Sequence, residues 1–235
     1  MTAFLRLLLG IALLPACWGI TRSFVDALFV ATGLEGGFSV ESVALVAGMA
    51  LFALSWTALP RPVRTYVLAH ELTHALWALA FGAAPSDVRV SEHGGSVRLQ
   101  RTNMLITLAP YFFPFYTFVV ILAALVTYAF LRPLPYLPVW MFAIGFTWAF
   151  HVLFTLDTLT VRQPDITLYG RIFSWTFIYL ANVAIVLVWL AATTPLEFQQ
   201  LSSILASRMT SSYLLVANGA LWLYNKTRSL ICSMD

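Results

Sequence analysis

The chain has 235 residues, 60% of them hydrophobic and only 10% charged, with a mean hydropathy of +0.85. That balance excludes an ordinary soluble domain, and a net charge of +3 dispersed along the chain excludes a nucleic-acid-binding surface. The length suits a single integral-membrane domain over residues 1–235, an all-α polytopic bundle of about six or seven transmembrane helices.

Taken in order, the first span covers residues 4–20 behind Arg6, a signal-anchor helix rather than a cleaved leader because the rest of the chain is itself apolar. A loop carrying Arg22, Asp26, Glu35 and Glu41 follows, with an apolar interfacial patch at 24–30. A second span at 43–59 ends at Pro60-Arg61-Pro62, since proline cannot continue a helical hydrogen-bond ladder. A third, at 63–81, stops at Gly82. Residues 87–90 and 97–99 then alternate apolar and polar around Gly94-Gly95, which predicts a small β-hairpin with His93 in its turn. Further spans are expected at 105–131, with a proline- and aromatic-rich start, at 137–156 and at 172–192. Residues 201–223 form either a seventh span or a helix lying in the interface.

The third span contains His70-Glu71-Leu72-Thr73-His74, the pattern H-E-x-x-H. Histidines four apart share one face of a helix, so both imidazoles can reach one metal ion. Glu71, a quarter turn away, is placed to act on a water without binding the metal itself. With four His and five Glu in the chain, chance placement produces the pattern roughly once in a thousand such chains. Three ionisable side chains within an apolar segment also point to a functional site, because they are costly in hydrocarbon unless they bind something. Cys17 and Cys232 form no C-x-x-C pair, so the site is not built on thiolates.

A catalytic zinc takes three protein ligands and keeps a fourth position open. Beyond His70 and His74, the residues able to complete the set are His151, Asp157 and Asp165. Asp165 follows Pro164, where the backbone leaves helical geometry, though it also suits a helix cap there. His151 and Asp157 fit a supporting role behind the ligands. The hairpin strand at Val97, Arg98 and Leu99 offers an edge for pairing with an extended peptide, since a helical substrate must unwind before its carbonyl can be attacked.

Together these features resemble the site-2-protease-like intramembrane metalloproteases, peptidase family M50. The matching elements are His70-Glu71-Leu72-Thr73-His74-Ala75 on a membrane helix, the hairpin at 88–99 with Gly94-Gly95, and Gln163-Pro164-Asp165 in a later segment, within a core of about 60–190. That family's metal aspartate usually sits in an Asp-Gly motif; here Ile166 follows Asp165. The resemblance implies a multi-pass zinc enzyme with His70, His74 and Asp165 as ligands and Glu71 as general base, cleaving a membrane-protein or peptide substrate in or beside the lipid bilayer. Two other classes share this architecture: a non-proteolytic membrane scaffold, and a transporter of metal ions or protons.

Overall fold

Helices occupy the apolar runs, and caps and prolines set their limits. In a computed structural model, which describes residues 2–32, 39–91 and 94–232, the chain runs α1 (Ala3–Ala12), α2 (Leu14–Thr32), α3 (Val40–Ala58), α4 (Val63–Ala80), β1 (Pro85–Ser91) and β2 (Gly94–Leu99). It continues with α5 (Met104–Leu108), a 3-10 turn (Ala109–Tyr111), α6 (Phe115–Phe130), α7 (Leu137–Thr160), α8 (Pro164–Tyr169), α9 (Arg171–Thr193) and α10 (Phe198–Cys232). Thr2, Ser39 and Asn103 begin α1, α3 and α5 by accepting the amides of Leu5, Ser42 and Ile106, which would otherwise lack a partner. Gly82 ends α4 with φ 71°, a conformation that costs glycine little, and its amide bonds back to Leu79.

Four helical stretches are long and apolar enough to cross a membrane: Ala3–Ala31, Val40–Ala58, Leu137–Thr160 and Arg171–Thr193. Met104–Tyr111 and Phe115–Phe130, bent by 83° at Pro114, make a fifth if counted as one broken span. The chain is therefore a mostly helical protein with four or five candidate spans among the described residues. The expected third and seventh spans are helices, α4 and α10, but their polar residues keep both below that hydropathy test. The loop expected after the first span is helix at both of its described ends, Glu41 falling in α3, and Glu35 lies outside the described residues. Arg22 and Asp26 lie within α2, and Arg208 of α10 donates to the Asp26 carboxylate, which offsets the cost of a charge beside an apolar core.

The chain divides into two compact units. The first contains α1, α2, α9 and α10, with a core of Ile20, Ala27, Leu187, Leu190, Leu196 and Leu201. Gly19 lets α10 approach α2, because a Cβ there would meet Met209 and Ser212.

The second unit contains α3 to α8 and the hairpin. Leu45 lies beside Gly145 and Trp56 beside Phe154, so α3 and α7 run in the same direction. A Cβ on Gly48 or Gly145 would overlap a carbonyl oxygen of the facing helix, which is the close approach that small residues allow between membrane helices. Beyond that crossing, Phe52, Phe150 and Phe154 form a buried aromatic core with Trp56 and Phe146 packed on it. β1 and β2 pair antiparallel, Pro85 opposite Leu99 and Ser91 opposite Gly94, with a register shift between Ser86 and Arg89. Asp87, at φ 49°, stands at that bulge. The hairpin packs on α4 and so lies beside the H-E-x-x-H motif.

Candidate metal centre

His70 and His74 project from one face of α4, their ring centroids 4.9 Å apart. Asp165 enters from the first turn of α8, where Pro164 starts the helix. Its Oδ2 lies 3.5 Å from His70 Nε2 and 3.5 Å from His74 Nε2. One ligand atom from each of the three residues falls within 4.8 Å of the others. Two donors bound at about 2.0–2.1 Å in tetrahedral geometry stand about 3.4 Å apart, so both histidine–aspartate spacings match a zinc-sized site. Two imidazole nitrogens and one carboxylate oxygen are also a donor set that zinc accepts.

Each of these groups is held by a partner behind it. His74 Nδ1 is 2.9 Å from the Ile106 carbonyl. A carbonyl only accepts, so Nδ1 carries a proton there, and Nε2 is the ring nitrogen that faces Asp165. His70 Nδ1 faces the Tyr66 hydroxyl at 3.4 Å, and Thr158 donates to that same oxygen at 3.0 Å. Tyr111, fully buried in the 3-10 turn, donates to Asp165 Oδ2 at 3.3 Å and sets its ring edge-on to His70. Burial by itself would raise the Asp165 pKa. Hydrogen bonds to His70 and His74 and the charges of those rings outweigh it and hold the carboxyl well below the usual carboxylate range.

Glu71 is buried on the hairpin side of α4, with 6% of its surface exposed. Strand β2 passes directly over it at Gly95. A Cβ added there would lie 2.6 Å from Glu71 Cγ, 2.7 Å from its Oε1 and 2.7 Å from Val67 Cγ1. Glycine at this position is what lets the strand come so near the carboxylate.

The remaining expected residues fall into separate places. His151 is buried in α7 and lines, with His70, Thr73 and Tyr66, a small cavity of about 10 Å³, room for roughly one water. Asp157 does not join the centre. Its carboxylate binds Arg61 at 2.9 Å, both side chains 46% exposed, because it points off α7 toward the α3–α4 turn. Val97, Arg98 and Leu99 lie on β2. Leu99 packs with Ala78, Ala83 and Ile106, and Arg98 reaches across to Asp87 at 3.4 Å on the exposed face. His93 lies outside the described residues.

Sequence reasoning missed Tyr66, Tyr111, Ile106 and Gly95. Tyr66 carried a usable signal, standing four residues before His70 on the same helix face. The others act through contacts remote in sequence. No family model, no curated protein and no solved structure matches this chain.

Proposed function

We propose that the chain is a zinc metalloprotease that hydrolyses peptide bonds in or beside the bilayer, with His70, His74 and Asp165 holding the metal and Glu71 as general base. The observation that carries this reading is the convergence of the His70, His74 and Asp165 donors, each steadied by a second group, one residue from a buried carboxylate. Structural ion pairs seldom orient every member in this way, whereas metal ligands generally are so oriented. The resemblance to the site-2-protease-like metalloproteases supports the same assignment. Counting α4 and α10 with the four or five candidate spans brings the total to six or seven.

Bound zinc supplies Lewis-acid activation of the scissile carbonyl and of the attacking water. The chain's own residues do the rest. Glu71 takes the proton from that water on a carboxylate oxygen and returns it to the leaving amine. Strand β2, lying over Glu71 at Gly95, keeps bulk water off the carboxylate. Asp165 contributes the single negative charge of the ligand set, leaving the site at net +1. The outer edge of β2 offers backbone groups to a substrate strand, replacing hydrogen bonds lost when a helical segment unwinds.

Full-length protein purified in mild detergent tests this by zinc content and by cleavage of transmembrane-segment fusions. The wild type should hold one zinc and cleave. Glu71→Gln should keep the zinc and lose cleavage by orders of magnitude. A wild type without zinc overturns the reading. Zinc without any Glu71-dependent cleavage favours the scaffold, and zinc flux into liposomes favours the transporter.

A further inference from the structure

We propose that the apolar cavity between α3, α4, α6 and α7 binds one acyl chain of an anionic phospholipid, with the lipid phosphate at Arg61. This inference does not depend on the proteolytic reading. The cavity holds about 410 Å³, and its walls include Phe52, Trp56, Tyr116, Phe146 and Phe150. That volume lies in the range of about 300–1,000 Å³ usual for ligand sites. An apolar space of this size is not a water site, because water there would lack polar partners. Hydrocarbon is the solvent that surrounds such a wall in a membrane.

Its position says which part of a lipid enters. Candidate spans α3 and α7 run in the same direction, and the cavity reaches Leu59, Pro60, Arg61 and Pro62, directly beyond the last residue of α3. Asp157, near the end of α7, pairs with Arg61 at the same level. The mouth therefore lies where two spans leave the hydrocarbon, at head-group depth. From Leu59 back to Phe52 the α3 wall covers about 10 Å, deep enough for the end of a tail to enter.

The rim has the matching chemistry. The Arg61 guanidinium lies 4.2 Å from the centre of the Trp56 ring, an arrangement suited to a membrane interface. Its ion pair with Asp157 is half exposed and so contributes little, and a guanidinium has further N–H donors to offer a phosphate. An anionic head group adds its net charge to this contact, whereas a zwitterionic one offsets the phosphate with its own ammonium.

The test uses the full chain in nanodiscs of phosphatidylcholine and phosphatidylglycerol, each supplied in turn with a diazirine at the acyl terminus, and maps the crosslinked residues by mass spectrometry. The phosphatidylglycerol probe should label the cavity wall at Phe52, Trp56 or Phe150. Exposed Leu122 and Leu125 on α6 report ordinary annular lipid. Ser55→Trp, which fills the cavity, should cut wall labelling tenfold or more while leaving Leu122 and Leu125 unchanged. Thr147→Phe does the same from the opposite wall should Ser55→Trp fail to fold. Arg61→Gln should lower wall labelling by the anionic probe several-fold and leave the zwitterionic probe unaffected. Wall labelling no stronger than annular labelling, or labelling that survives both filling variants, overturns the site. Equal loss of both probes in Arg61→Gln overturns the assignment of the head group.

Discussion

Replacing Gly95 with alanine probes the closest approach between the hairpin and the H-E-x-x-H helix. The new Cβ would stand 2.6–2.7 Å from atoms of Glu71 and Val67, against about 3.5–4.0 Å for a relaxed carbon contact. Roughly an ångström of overlap must be relieved. Glu71 can rotate its carboxylate aside. Val67 cannot follow, because it is buried and a β-branched side chain keeps essentially one rotamer in a helix. The strand must therefore lift off α4, and overpacking of this kind costs about 1–3 kcal/mol. On the proposed mechanism, a displacement of about 1 Å in Glu71 should lower turnover on the order of a hundredfold. Zinc content should not change, since His70, His74 and Asp165 are untouched. Thermal unfolding in detergent reads the first effect, and cleavage by zinc-loaded protein reads the second. Val67→Ala removes the immovable partner, so in the double variant part of the lost stability should return. Wild-type stability and activity in Gly95→Ala would refute the packing of β2 on Glu71.

Three further outcomes follow from the same geometry. Asp165→Ala should weaken zinc binding well over tenfold in a chelator competition, whereas Asp157→Ala, which breaks only an exposed pair with Arg61, should leave it unchanged and shift stability by less than about 1 kcal/mol. Tyr66→Phe and Tyr111→Phe each keep the ring, half-buried at 66 and fully buried at 111, and remove one hydroxyl behind a proposed ligand, so each should lower zinc affinity about 10–100-fold in the same competition. Gly145→Ala sets a methyl against the Leu45 carbonyl, where neither backbone can yield alone, so its stability loss in detergent should exceed that of Gly95→Ala.

Local chemistry was enough to locate the parts. Composition pointed to helices long and apolar enough to cross a membrane, and four-residue spacing put His70 and His74 on one helix face beside Glu71. Pro60 and Pro62 marked the break between α3 and α4, Gly82 the end of α4, and alternation around Gly94-Gly95 the hairpin. These signals act within a turn or two of the chain, where periodicity and backbone preference govern. What the parts touch was decided elsewhere. Asp157 directly follows an apolar helix and Asp165 follows Pro164, which favoured Asp165 as the ligand without showing what either carboxylate touches. The fold turns one toward His70 and His74 and the other toward Arg61. Likewise α2 runs on through Arg22 and Asp26 because Arg208, 182 residues later, meets Asp26. Tyr111 and Ile106 reach the centre only because α5 and its 3-10 turn pack against α4. Such pairings depend on which surfaces meet after the helices form, and no short window of sequence records that meeting.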